Sequence, residues 1–403
     1  MTSNMMNLYF LEIFQKEMTG FTTYKNELFA GLKKVNGIKL HVITLGCPIK
    51  ELTHTRKDEV SYYYIPSIKG QPKDKIAFLL LQFIDDTDKL FFFINYAPSY
   101  PTVRMLKEYF PSAKVIDVIH DFMWAPYLLG DVERLKRIVN HEEQSQLSQG
   151  IEYFFEEGCK SYHAADRVVC LSKDTYEILE TQYQIPASKL QLIPNGLNSQ
   201  AWEILSGEND ASKQKSSKEK IILYVGRVSY PKGIIDVLEC FSQVLDSVPN
   251  CKLAIAGQID DQMRKKIDWH FAGKVILLGM LPKEKLYEWY QNADVGLMPS
   301  YYEQCSYVGI EMKMFGLLVV ASDGIGVRSM FDATNSIIAV IGDRTNPRVY
   351  RRNLANSIVE ALSLSEDVIA VFRVKSRTHY EKQYSIGHMA QSYMELLNSF
   401  GIQ

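Results

Sequence analysis

Residues 299–316 read P-S-Y-Y-E-Q-C-S-Y-V-G-I-E-M-K-M-F-G and hold two glutamates, Glu303 and Glu311, with seven residues between them. An apolar run at 294–298 precedes this stretch and another at 317–321 follows it, which predicts strand, loop, helix, strand. Glu303 then falls in the loop and Glu311 about one turn into the helix. Amides at a helix start are unpaired and electropositive, a setting that suits an anion or a sugar hydroxyl. A carboxylate accepts hydrogen bonds only, which matches the vicinal hydroxyls of a ribose or a hexose. The plainer reading is a first-turn Glu complementing the helix dipole beside an unrelated surface Glu. Spacing alone does not separate the two.

Four more places carry usable chemistry where strands should end. In Y-V-G-R-V-S-Y-P-K-G (224–233) a strand runs into Gly226 and Arg227, and Lys232 and Gly233 open the next helix. A guanidinium and an ammonium converging on a helix start make a cationic site for phosphate oxygens. Gly257 in A-G-Q (256–258), and Met280 and Leu281 in L-G-M-L-P (278–282), again follow strands and would suit backbone contacts to a base. In I-H-D-F (119–122), His120 would donate to a substrate oxygen with Asp121 orienting it; a structural histidine is the alternative. In K-E-M-T-G-F-T-T (16–23), Gly20 and its hydroxyl neighbours would admit a diphosphate to backbone amides, or simply form a turn. Asp86-Thr-Asp88 has the D-x-D spacing of a metal–nucleotide site, but it precedes a strand and Arg227 and Lys232 already supply positive charge; no metal or other cofactor is expected.

These groups need elements to hold them. Short apolar runs at 8–14, 40–45, 89–95, 115–119 and 167–171 leave room for helices between them, the signature of βαβ units and parallel sheet. Residues 206–220 (S-G-E-N-D-A-S-K-Q-K-S-S-K-E-K) have no apolar period and read as a linker. The alternation resumes at 221–225, 252–256, 275–278, 295–299, 317–321 and 337–341, and 381–397 has the apolar spacing of a helix. The expected organisation is an α/β protein of two doubly wound, Rossmann-like domains facing across a cleft, at 1–200 and 221–380, a linker at 201–220 and a final helix at 381–403 packing back on the first domain. Ligands of such sheets sit at the carboxyl ends of the strands.

At 403 residues the chain is too long for one compact core. A formal net charge of −2 hides no basic block, which argues against a nucleic-acid partner. The six cysteines show no C-x-x-C pair, as expected in a reducing cytosol, and offer no metal site. The longest apolar run, 76–84, is about half of the roughly 20 residues a membrane span needs. No basic leader precedes the first strand, so a cytoplasmic protein is expected, with peripheral membrane contact left open. Neither G-x-G-x-x-G after the first strand nor a P-loop lysine motif occurs, which disfavours a dehydrogenase or NTPase. Aromatic residues around Trp124, Tyr127 and 153–155 would line an acceptor or pack a core.

Taken in order, His120-Asp121, Asn195-Gly-Leu197, G-R-V-x-x-x-K-G at 226–233 and E-x7-E at 303–311 resemble the retaining GT-B glycosyltransferases, in particular family 4, which includes sucrose synthases and bacterial mannosyl- and glucosyltransferases. The resemblance is strong over 162–322. It implies transfer of a hexose from a nucleoside-diphosphate donor, UDP first, to a saccharide, lipid-linked or peptide acceptor, with the first domain on the acceptor side. It also implies roles: Arg227 and Lys232 on the diphosphate, Glu311 on the ribose, Glu303 on the donor sugar or its loop, the amides of Ser306 and Tyr307 on phosphate or sugar, His120 by the reacting sugar, and the Gly20 loop closing over the donor. Two departures stand out. Thr19-Gly20 replaces the glycine pair many members carry, and Gln304-Cys305-Ser306 replaces the usual Gly and aromatic after the first Glu. A nucleotide-sugar epimerase or hydrolase, or a non-catalytic nucleotide-sugar-binding subunit, are the alternatives.

Overall fold

The computed structural model describes residues 5–15, 20–68, 73–200, 202–203 and 219–401. The chain divides into two compact units, one of residues 1–128, 132–194 and 386–403, the other of 129–131 and 195–385. The expected boundary at 200 lies at 194/195 instead, and most of the expected linker, 201 and 204–218, lies outside the described residues.

The first unit is built on eight strands: β1 (Met6–Ile13), β2 (Ile38–Cys47), β3 (Thr53–Lys57), β4 (Val60–Pro66), β5 (Leu90–Ile94), β6 (Lys114–Ile119), β7 (Arg167–Cys170) and β8 (Leu190–Leu192). Their order is β3-β4-β2-β1-β5-β6-β7-β8, parallel except for the β3–β4 hairpin. Phe91, Phe92 and Phe93 of β5 are all fully buried, because a strand covered on both faces needs no polar alternation. The hairpin turns on Asp58 and Glu59, at φ 48° and 67°, the left-handed pair that matches the twist of two-residue hairpins. The final helix, Ile386–Asn398, packs on the Gly20–Leu32 helix of this unit, as expected from the sequence. An added Cβ on Gly31 would lie 2.8 Å from Ala390 Cβ, and the hydroxyls of Tyr24 and Tyr393 meet between the helices. This helix begins at Ile386, five residues later than the apolar spacing predicts, because Tyr380–Tyr384 form a π turn ahead of it.

The second unit carries β9 (Lys220–Val225), β10 (Cys251–Ala256), β11 (Val275–Gly279), β12 (Val295–Met298), β13 (Val319–Ser322) and β14 (Ile337–Ala339). All run parallel in the order β11-β10-β9-β12-β13-β14. The order reverses direction between β9 and β12, so the crevice at their carboxyl ends is the topological switch point where open α/β sheets bind ligands. Val237, Phe241 and Val244 of the Ile234–Ser247 helix and Leu354 and Ile358 of the Arg348–Ser363 helix belong to one buried core with the sheet.

Candidate active site

The switch point is shaped by glycines that bring backbones into contact. Gly226, directly after β9 at φ 145°, donates its amide to Ala256 O at 2.9 Å. Gly257, after β10 at φ 151°, donates to Gly279 O at 2.8 Å. A Cβ on Gly257 would lie 2.0 Å from Gly226 O, so only glycine admits this approach. The chain then makes a 3-10 turn over Tyr230–Lys232, and Gly233, at φ 71°, caps the following helix. A Cβ there would lie 1.9 Å from Pro299 O, which presses this turn onto the exit of β12.

That contact sets the two charged groups against each other. Lys232 Nζ donates to Glu303 Oε1 at 2.7 Å, and Ser300 Oγ donates to the same oxygen at 2.9 Å. Glu303 lies in the loop ahead of the Tyr307–Met314 helix, and Ser306 caps that helix by accepting from the Gly309 amide. The first intrahelical bond runs from Ile310 N to Ser306 O, so the amide of Val308 precedes the helical ladder. Tyr224, Gly226, Lys232, Ser300, Glu303 and Ser306 line one small open recess, with Val308 at its wall. It holds a partly exposed ammonium, a carboxylate that orients it and the positive end of a helix. One of the three ammonium N–H groups is spent on Glu303, leaving two for an incoming anion.

The other residues singled out by sequence are placed as follows. Arg227 is exposed beside Gly226; its carbonyl accepts from Tyr224 Oη at 2.8 Å, and its guanidinium makes no ion pair with a described residue. Tyr307 opens the helix, and Glu311 is its fifth residue, 5% exposed, with Oε2 accepting from Tyr290 Oη at 2.8 Å. Met280 and Leu281 follow β11, the edge strand two places from β9; Met280 is 77% exposed, and neither lines the recess. His120 follows β6 in the other unit. Its Nε2 is hydrogen-bonded to Asn95 Oδ1, its ring stands edge-on to Phe21 and Tyr24, and burial pushes its pKa down to about 3. Asn95, at the end of β5, thus holds the ring in the way expected of Asp121. Gly20 is the exposed first residue of its helix, and 16–19 lie outside the described residues. Asp86 accepts the Ser112 amide at 3.1 Å, and among the described residues no group of three or more His, Cys, Asp or Glu could hold a metal ion. Of the aromatics, Trp124 is fully buried with Nε1 donating to Tyr183 Oη at 3.0 Å, whereas Tyr127 and Tyr153 are 54% and 62% exposed.

Sequence reasoning missed Ser300, Tyr290 and Asn95. Each is a common polar residue; the partners of Tyr290 and Asn95 lie 21 and 25 positions away, whereas Ser300 meets Glu303 three residues on. Only the carboxyl-terminal position of Asn95, at the end of an apolar run, offers a signal.

Comparison with known proteins gives the class and then the family. Over 98% of its length the chain superposes on sucrose-phosphate synthase from Thermosynechococcus elongatus (99% of that chain, TM-score 0.67, 18% identity). It superposes equally on Anabaena HepE solved with UDP (100% of that chain, TM-score 0.68, 14% identity). The fold is GT-B. Residues 18–201 match Glycosyltransferase Family 4 and 206–368 match Glycosyl transferases group 1, and the chain belongs to this group of glycosyltransferases. Among curated relatives, "Uncharacterized glycosyltransferase MJ1607" of Methanocaldococcus jannaschii is 30% identical over 231 residues, 51% of this chain and 57% of that protein. Alpha-monoglucosyldiacylglycerol synthase of Streptococcus pneumoniae is 25% identical over 249 residues, 59% of this chain and 52% of that protein. The matches thus span little more than half the length of these relatives.

Proposed function

We propose that the protein moves a hexose-type sugar from a nucleoside-diphosphate donor, a UDP-sugar first among candidates, to an acceptor hydroxyl with the anomeric configuration kept. The observation that carries this reading is the Lys232–Glu303 pair in the switch-point recess, beside the start of the Tyr307–Met314 helix. HepE, solved with UDP, supports the choice of base, and the motif resemblance supports retention.

Breaking the bond between the anomeric carbon and the diphosphate oxygen places negative charge on the leaving nucleotide and positive charge on the carbon. Lys232, already oriented by Glu303, and the guanidinium of Arg227 meet that negative charge as it develops, which lowers the barrier more than it strengthens ground-state binding. They also make a metal unnecessary. Glu311, steadied by Tyr290, takes the ribose hydroxyls, the amides of Ser306 and Tyr307 approach phosphate or sugar, and Gly257, Met280 and Leu281 border the base. His120 is neutral at working pH, since burial keeps its ring unprotonated. It therefore acts as a hydrogen-bonding group toward the sugar and carries no charge. The acceptor hydroxyl attacks from the leaving-group face; the new C–O bond forms as the old one breaks, and the proton passes to an oxygen of the departing diphosphate. The acceptor is a saccharide, a lipid-linked sugar or a peptide, and the likeness to alpha-monoglucosyldiacylglycerol synthase adds diacylglycerol lipids to the panel.

A thermal-shift screen of nucleotide sugars followed by mass spectrometry of products tests the reading. Arg227→Ala or Lys232→Ala should lower turnover by roughly 10²- to 10³-fold with the fold intact, the loss seen for one oxyanion donor. Near-normal rates in both variants remove these residues from the mechanism. Conversion of donor alone, with no acceptor present, points instead to an epimerase or hydrolase.

A further inference from the structure

The segment from Glu303 to Met314, which carries both glutamates, is held at each end by residues from the two stretches through which the chain enters and leaves the second unit. Asn195 is the first residue on entry. Its side chain is buried at 4% exposure, and Nδ2 donates to Cys305 O at 2.7 Å. Cys305 sits between Glu303 and Ser306 and is itself 6% exposed, so its carbonyl needs a donor from within the protein. At the far end, Arg377 Nη1 donates to Met314 O, the last residue of the Tyr307–Met314 helix, at 2.5 Å. The same guanidinium lies over the Trp202 ring at 3.3 Å and donates through Nε to Glu381 at 2.9 Å. Entry and exit stretches are also tied to each other. Leu197 N donates to Tyr384 O at 2.9 Å, and Tyr380 Oη donates to Leu197 O at 2.8 Å.

We propose that Asn195 and Arg377 are positioning residues for the donor site, holding the Glu303–Ser306 loop and the Glu311 helix in register with Lys232 from the segments where the chain passes between its two units. The inference rests on the reading of that loop as part of the donor site. The physical argument is local. The 303–306 backbone is irregular; the Glu303 amide is held by Ile325 O at 2.8 Å and, two residues on, the buried Asn195 amide fixes the Cys305 carbonyl. Displacement of that peptide carries Glu303 and Ser306 with it, and small displacements in a positioned site are costly in rate and binding. The link also makes donor affinity sensitive to the geometry of the entry and exit stretches.

Asn195→Asp is nearly isosteric but sets a carboxylate oxygen against the Cys305 carbonyl. Calorimetric titration with UDP, GDP and ADP, steady-state kinetics and thermal melting separate the outcomes. The nucleoside diphosphate that binds the wild-type protein should bind Asn195→Asp about tenfold more weakly, with donor KM raised in parallel and acceptor KM unchanged. A merely structural role lowers Tm and active fraction and leaves donor Kd and KM as they were; that result overturns the proposal. Should Asn195→Asp not fold, Arg377→Lys, which loses the planar fork and the stacking on Trp202, carries the test: a folded variant with unchanged Kd overturns the idea equally. Absence of binding of all three nucleotides to the wild-type protein brings down the donor-site reading and this proposal together.

Discussion

Lys313 lies two residues beyond Glu311 with no exposed surface, its ammonium 2.9 Å from Asn335 Oδ1 and 4.3 Å from the centre of the Phe331 ring. Burial pushes its pKa from 10.5 down to about 7, against the opposing pull of Asp332. Below about pH 7 the folded and unfolded chains both carry the charge, and the fold bears the full cost of burying it. Between about 7 and 10.5 the unfolded chain holds the extra proton, so stability rises with pH. Lys313→Met should therefore exceed the wild type in urea stability at pH 7 by a margin that narrows toward pH 10; a constant margin would count against the buried charge. Asp117 in β6 runs the other way. Burial raises its pKa from 3.8 to about 7, Ser161 Oγ donates to Oδ2 at 2.9 Å, and Oδ1 has no partner among the described residues. Here the folded chain holds the extra proton between pH 4 and 7, so the wild type should lose stability relative to Asp117→Asn as pH rises through that window. At this scale the sequence is informative where a residue's type already limits its chemistry, as with Lys232 and Glu303 at strand ends. Ser300, Tyr290 and Asn95 were not legible, because a hydroxyl or an amide gains its role only from what the fold places 3 Å away.

Among elements, the strand-to-helix turns of the second unit depend on glycines for steric reasons that can be checked. Gly257→Ala and Gly233→Ala each drive a Cβ into a backbone carbonyl, at 2.0 and 1.9 Å, from a positive φ. Each should cost about 3 kcal/mol or more in denaturant unfolding. Gly150→Ala, at the fifth residue of the Gln146–Ala164 helix with nothing among the described residues within 4 Å of an added Cβ, should instead stabilise by roughly 0.5–1 kcal/mol. Equal effects at the three sites would sink the close-approach argument. Strands such as β5 and β12 were found from sequence because they are apolar and buried at every position, as a strand covered on both faces allows. The β3–β4 hairpin and β8 escaped notice. Every residue of β3 is exposed and Thr53–Lys57 has no apolar period, while β8 spans three residues at the sheet edge.

For the whole molecule, the first unit is not continuous in sequence. The Ile386–Asn398 helix buries Met389, Tyr393, Leu396 and Leu397 in it, although 191 residues of the other unit, 195–385, intervene. Ending the chain after Ser385 should lower the melting temperature of the first unit and expose it to protease, while the second unit melts near its original temperature. Calorimetry with limited proteolysis reads this directly, and a single unchanged profile would contradict it. Tyr393→Phe, which removes one hydroxyl of the buried pair with Tyr24, should destabilise the same unit by about 1–3 kcal/mol.

The amino-acid sequence by itself determined the alternation of strands and helices and the residue types at the strand ends. Both follow from local periodicity and from glycine, charge and turn chemistry within a few positions. Tertiary structure decided the strand order that puts β9 beside β12, and with it the meeting of Lys232 with Glu303 across 71 positions of chain. It also decided that Asn195 reaches Cys305 and that Asn95 holds His120. Such pairings depend on which parallel strands become neighbours, and that is fixed by burying whole faces together, a property that no short window of sequence contains.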